Sequence, residues 1–372
     1  MKVIVIGAGV IGLSIAENLS RRGIGVEVLE RNPAAGQEAS SAAAGILSPQ
    51  GEAKGPGPFF ELLKRGYSLI PETVARLESL TQIDVRYRAG GEIAVSFSPG
   101  DDRELLEEYL LQRQAGLQVE KLSEAEVRKC EPAVDGPLRW GLWWPQTAQI
   151  DCVRLMQAYV QLVRNQGVTV KTGTPVLRFL IEGDRVAGVA TPSGNLESDW
   201  VVDCAGSWSG FDSTVGFAIP TVPVRGQMLL FSTRVPLLER IIRSPRAYLV
   251  QRSARQLMAG TTVERVGFDK AVTEEGRASI RRGAEEIAGG VRALSLESAW
   301  AGLRPGTPDD LPILGPAPFQ GLLLATGHFR NGVVLGPLTG QLIADWIVKG
   351  SCSIDLTPFH VGRFFAHKDL LS

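Results

Sequence analysis

The segment Gly7-Ala8-Gly9-Val10-Ile11-Gly12 and the carboxylate of Glu30 have the types and spacing to hold a dinucleotide. Glycine at 7 permits a tight turn, glycine at 9 lets backbone approach a pyrophosphate, and glycine at 12 lets a helix lie close on a strand. A helix that begins there offers free N–H groups and a partial positive charge to the phosphates. Glu30 closes the next apolar run, where a carboxylate accepts from both hydroxyls of a ribose. An acid at that place argues against a ribose 2′-phosphate, hence against NADP, and leaves NAD and FAD open. Chemistry based on metal clusters is absent from the pattern. Only three histidines occur, with no HExxH pair, and the four cysteines Cys130, Cys152, Cys204 and Cys352 form no CxxC.

The elements that must position these groups follow from hydrophobic period. Lys2–Ile6 is a β-branched run of the kind buried in a parallel sheet. Ile11, Ile15 and Leu19 then fall on one helical face, which ends at Arg21-Arg22-Gly23, and 26–29 is the second strand. The stretch 39–45 is too poor in bulk to form core by itself. Helical spacing recurs at 59–80 and 102–115, and Ser123 with Glu126 makes a capping box before a short helix. Asp151 opens a helix that stops at Gly167. Strands are expected at 168–171, 176–181, 185–191 and 200–204, with turns at Gly183-Asp184 and Ser193-Gly194. Three more are expected at 222–232, 247–252 and 257–262, followed by helices at 273–288 and 333–348.

Composition bounds the function classes. The 372 residues suffice for two domains at ~150 residues each. Thirty-nine Lys and Arg against 40 Asp and Glu leave no basic excess for nucleic acid. No segment reaches the ~18 consecutive apolar residues of a membrane span, and the glycine-broken N-terminal run reads as strand–turn–helix, not as a signal peptide. A cytoplasmic protein with reduced thiols is expected, with a homo-oligomer left open.

Over nearly the whole length the sequence resembles the D-amino-acid oxidase superfamily of FAD-dependent enzymes, and within it the glycine oxidases of thiamine biosynthesis. The markers are VIVIGAGVIGLSIAENL (3–19), ASSAAAGILSP (39–49), VVDCAGSWS (201–209), VRGQMLLF (224–231), WAGLRPGTPDDLPILGP (300–316) and GHFRNGVVLGPLTGQLIAD (327–345). The resemblance implies a Rossmann-like α/β domain that binds FAD without a covalent bond, interleaved with an α+β substrate domain on an antiparallel sheet. The FAD domain is expected at 1–82, 146–218 and 305–372, and the substrate domain at 83–145 and 219–304. FAD would contact Gly7, Gly9, Val10, Ile11 and Gly12, then Glu30, Arg31, Ser40, Ser41, Ala44 and Gly45. It would also meet Val176, Ala205, Gly206 and Trp208, and finally His328, Arg330, Asn331, Gly332 and Val333 at the head of the last helix. The covalent-flavin members carry a cysteine near the GHxxN region, whereas here the nearest is Cys352, beyond that helix.

By the same resemblance Arg304 of the GLRP box would grip the substrate carboxylate bidentately, with Tyr248 and Arg330 as its partners. Without it, Arg304 reads as one arginine in a Pro-Gly turn and Tyr248 as an aromatic on a sheet face. His328 would shape its box and perform no acid–base work. Val263 and Glu264 lie in a variable segment (255–268) that bears on substrate size. The implied reaction is oxidative deamination of glycine, sarcosine or small D-amino acids. The α-hydrogen leaves to the flavin, the imine hydrolyses, and O₂ takes the electrons to give H₂O₂. Two alternatives remain at this level: a dehydrogenase that uses an electron carrier, and a protein that binds a small acid without turnover.

Overall fold

The computed structural model describes residues 1–50 and 55–365. Residues 51–54 and 366–372, which fall within the expected intervals 1–82 and 305–372, lie outside the described residues. A six-stranded sheet runs in the order Ile313–Pro316, Leu322–Thr326, Trp200–Asp203, Lys2–Ile6, Gly25–Leu29, Thr169–Lys171. Its neighbours are parallel except for the first pair. Val3 to Val5 are fully buried, as expected for a strand covered on both faces. One face carries the helices Val10–Ser20, Cys152–Asn165 and Gly332–Lys349 in a single apolar core. The other is covered by a three-stranded antiparallel sheet over 178–197.

An eight-stranded sheet has the order Ser295–Gly306, Val222–Ser232, Gln256–Gly260, Tyr248–Ser253, Ile241–Arg243, Glu92–Ser96, Trp140–Trp144, Glu120–Ser123. All pairs are antiparallel except Ile241–Arg243 with Glu92–Ser96. Helix Glu274–Ile287 packs on one face through Ile280, Ala284 and Ile287. The opposite face presents Met228, Leu230, Val250 and Met258 to Ala44, and so turns toward the 39–45 segment. The strands of this sheet come from 92–144 and 222–306, between the pieces of chain that build the six-stranded sheet. The architecture is therefore α/β with two interleaved units.

Local expectations hold where short-range signals are strong. The Ser123 capping box is formed in both directions, and the Asp151 side chain accepts from the N–H groups of Val153 and Arg154. The helical stretch at 59–80 is in fact two helices, Pro58–Ser68 and Ile70–Thr81. Pro71 has no N–H and its ring crowds the preceding turn, so the first helix cannot continue through it. The largest correction is Ser295–Gly306. Its Pro-Gly pair reads as a turn, but this is a 12-residue strand that carries Arg304 opposite Val224. It lies at the edge of the sheet, where a proline need not donate to a neighbour.

The last helix crosses the first at Gly340, where a Cβ would fall 2.5 Å from the Ser14 hydroxyl and 2.6 Å from its carbonyl oxygen. Replacing Gly340 by valine should destabilise the protein by about 1–3 kcal/mol through overpacking. A denaturant midpoint equal to that of the parent would show that the two helices do not meet there.

Candidate active site

The glycine-rich turn is built from backbone contacts. Gly7 adopts φ +99°, and a Cβ on it would meet the Cys204 carbonyl oxygen at 2.6 Å. A Cβ on Gly12 would sit 2.0 Å from the Gly7 carbonyl oxygen, so the helix lies directly on the strand. Glu30 gathers the turn: its carboxylate accepts from the N–H of Ala8 at 2.8 Å and from that of Asn32 at 2.8 Å. Those amides are an occupation the sequence did not disclose, and each oxygen keeps a second lone pair for a ribose hydroxyl. The Ser40 hydroxyl accepts from the N–H of Val10 at 3.0 Å, which brings the 39–42 segment against the start of the helix.

A cavity of about 670 Å³ opens along these groups, and nearly every expected site residue lines it. Gly7, Gly9, Val10, Ile11, Glu30, Arg31, Ser40, Ala44, Gly45 and Val176 form one stretch of wall. Ala205, Gly206, Trp208, His328, Arg330, Asn331, Gly332, Val333, Tyr248 and Arg304 form another. Gly12 and Ser41 do not line it. Gly12 acts beneath the turn, and the Ser41 N–H is engaged by the Glu38 carbonyl oxygen inside the short helix.

At one end the Arg31 guanidinium stacks over Trp208 at 4.4 Å, and Phe268 lies 5.3 Å beyond that ring. Behind the wall, Asp203 accepts from the Ala205 N–H at 2.9 Å and the Ser209 hydroxyl at 3.0 Å. Burial pushes its carboxyl up to about 6. Asn331 precedes Gly332–Lys349 without a side-chain hydrogen bond to it, and Gly332, Val333 and Val334 of the first turn line the cavity. Among the cysteines it is Cys204, not Cys352, that reaches the cavity wall, and burial drives its thiol well above the usual range.

At the other end Arg304 donates to the Thr261 hydroxyl at 2.8 Å and the Thr262 carbonyl oxygen at 3.2 Å. The Tyr248 hydroxyl lies 3.2 Å from the Met228 sulfur. Burial raises its phenol, while the nearby charges of Arg304 and Arg330 pull the other way. Sequence reasoning missed Glu92 and Arg243, which also line the cavity and pair at 2.8 Å, with Arg243 stacked 4.4 Å over Trp144. Arg243 stands opposite Tyr248 in the sheet, so alternation outward from Tyr248 would have found it once the strand pairing was known. Val263 and Glu264 do not line the cavity. Glu264 pairs with Arg225 at 3.0 Å, which holds its carboxyl down to about 2.

Several known proteins are similar to this chain in sequence or fold. The family model described as FAD dependent oxidoreductase matches residues 2–346. A glycine oxidase from Pseudomonas aeruginosa is 33% identical, with 96% of this chain and 98% of that protein covered. The bifunctional protein ThiO/ThiG of Trichormus variabilis is 33% identical over 97% of this chain, which spans 55% of it, about half its length. The crystal structure of glycine oxidase from Geobacillus kaustophilus superposes with TM-score 0.92 at 30% identity, covering 97% of this chain and 98% of that one. Among the described residues no helix is long and apolar enough to cross a membrane.

His328 is buried against Thr339, with its Nε2 3.1 Å from that hydroxyl, and burial pushes the imidazole down to about 3. An unfolded imidazole takes its proton near the ordinary value of ~6.5. The unfolded chain therefore binds the extra proton between those values, and stability falls as pH drops through that window. Replacing His328 by glutamine should flatten this part of the acid sensitivity between about pH 6.5 and 4. Denaturant midpoints across that range check it, and parallel curves for the two proteins would contradict it.

Proposed function

The chain belongs to the FAD-dependent oxidoreductase family, and from that premise we propose that it oxidises glycine, sarcosine and small D-amino acids. It is an FAD-dependent enzyme, and its cavity fits that cofactor on structural grounds. The wall at Gly7 and Gly9 is bare backbone, a Cβ at Gly9 would crowd the Ser40 hydroxyl at 3.1 Å, and the cavity runs from Arg31 to Arg304. In our reading Gly7, Gly9 and Val10 hold the pyrophosphate, Glu30 and Arg31 the ribose end, and 42–45 passes under the ring. We place the cofactor on the six-stranded sheet and the substrate against the eight-stranded one. We read the attachment as non-covalent, because the GHFRNG segment and the helix it heads hold no cysteine.

The observation that carries this reading is the convergence of Arg304, Tyr248 and Arg330 at one end of that cavity. Bound FAD supplies a two-electron acceptor for the α-hydrogen of the amine. Arg304 takes the substrate carboxylate with parallel N–H bonds, Tyr248 donates its phenolic proton to it, and Arg330 adds a second positive charge. The N–H groups of Gly332 and Val333 and the helix dipole would offer positive potential to a flavin bound at the head of this helix. His328, held neutral, positions its turn. The neutral amino group of the substrate supplies the electron push, so the protein's contribution is orientation and electrostatics. The imine leaves the site and adds water to give the 2-oxo acid and ammonia or methylamine, O₂ takes two electrons and two protons to give H₂O₂, and the imine or the 2-oxo acid supplies thiamine thiazole synthesis. The unpaired cysteines among the described residues suit a cytoplasmic setting.

With the carboxylate on Arg304 and the amine opposite, only one α-hydrogen faces the cofactor. Glycine, sarcosine and D-alanine should therefore bleach the flavin absorbance anaerobically, whereas L-alanine should not. An extra methylene changes binding by only ~1–3 kcal/mol, so rates among the first three should be graded. Equal bleaching by both alanine enantiomers would remove the clamp from Arg304. Reoxidation by an artificial acceptor but not by O₂ would move the assignment to a dehydrogenase.

Lysine at 304 keeps the charge but not the two-pronged fork. Arg304→Lys should retain FAD yet lose about tenfold or more in kcat/KM, since a hydrogen bond to a charged group contributes ~1.5–3 kcal/mol. Steady-state kinetics with glycine test this, and an unchanged kcat/KM would end the carboxylate role.

A further inference from the structure

We propose that Gly226 and Gly260 are positioning residues, whose missing side chains form the bed on which Arg304 and Tyr248 lie and so set where the substrate carboxylate is held. The inference rests on the reading of Arg304 and Tyr248 as a carboxylate clamp. Neither glycine has the positive φ that would by itself favour glycine. Glycine within a strand is also less stable than alanine, so another reason must keep the side chain away.

The reason lies directly above each residue. A Cβ on Gly226 would fall 2.2 and 2.3 Å from the two terminal nitrogens of Arg304 and 2.4 Å from its Cζ. The guanidinium is thus laid flat on the backbone of the neighbouring strand. Gly260 sits in register between Met228 and Tyr248. A Cβ there would fall 2.5 Å from the Tyr248 Cζ and Oη and 2.6 Å from the Met228 sulfur. The phenol therefore crosses the sheet over Gly260 in the same way. Both side chains come to Thr261, whose hydroxyl accepts from Arg304 at 2.8 Å and also bonds Tyr248.

Gly302, opposite Gly226, has a different neighbour, the Ala42 methyl at 2.6 Å, and so serves the 39–45 segment. At Gly226 the obstacle is the far end of a flexible side chain. An alanine there is tolerated by the fold but drives the guanidinium out of its resting place. Paired N–H bonds to a carboxylate depend on direction, so the displacement weakens the clamp while the cofactor cradle is untouched.

The holoenzyme is titrated with acetate, a carboxylate that cannot be oxidised as an amine, and binding is read from the shift of the flavin absorbance. Gly226→Ala and Gly260→Ala should keep FAD and raise the acetate Kd by about tenfold or more, with a matching rise in KM for glycine. In an Arg304→Ala background, Gly226→Ala should change the acetate Kd by less than about twofold, because the group it displaces is gone. Wild-type affinity for acetate in Gly226→Ala overturns the inference. So does an equal loss from Gly226→Ala with and without Arg304. Should Gly260→Ala fail to fold, Gly226→Ala alone decides. A parent enzyme that is blind to acetate overturns the clamp itself, and the inference with it.

Discussion

Backbone must touch backbone where the central strands end, and the site depends on that closeness. At Gly12 the first helix rests on the carbonyl oxygen of Gly7, and Gly7 in turn rests against Cys204 at the end of the neighbouring strand. Gly45 repeats the device, since a Cβ there would lie 1.9 Å from the Ile150 carbonyl oxygen. Any side chain at these points would force the elements apart. The helix N-terminus, the small-residue segment and the strand ends would then no longer face one cavity. Glu30 secures the arrangement by satisfying amides on both sides of it, a carboxylate–amide contact worth more than a neutral one.

The two sheets must then share that cavity, and an edge strand joins them. Ser295–Gly306 pairs with Val222–Ser232 on one side only. Its other side is open to the loops of the six-stranded sheet. The Ser207 hydroxyl donates to the Leu303 carbonyl oxygen at 3.1 Å, and the Phe329 N–H donates to that of Pro305 at 3.0 Å. Arg304 lies between these two bonds, so the residue assigned to the substrate is tied to the turns assigned to the cofactor. Proline at 305 suits the place, because it withholds a donor at an edge but still accepts.

Charge at this end of the cavity is concentrated. Arg304 and Arg330 both act on Tyr248, and Arg243 stands beside it in the sheet. Arg243 is engaged by the buried Glu92 at 2.8 Å, by Glu108 at 3.5 Å and by the face of Trp144. The Glu92 pair offsets the charge of Arg243, and Arg304 and Arg330 line the same cavity.

Features that depend on neighbours a few residues apart could be read from the chain before any fold was known. The GxGxxG turn between Lys2–Ile6 and Val10–Ser20, the Ser123 capping box and the Asp151 cap are short-range geometry. They are legible because the interacting atoms are close along the chain. The resemblance also named Arg304, Tyr248 and Arg330, although it could not say what surrounds them. Tertiary structure alone decided the rest. Breaker residues hid the strand around Arg304, because whether a proline breaks a strand depends on which edge it occupies. Glu92 and Arg243 were invisible because 151 positions separate them. The beds at Gly226 and Gly260 were equally hidden, since a glycine in a strand carries no mark of which side chain lies over it until the register of three strands is set.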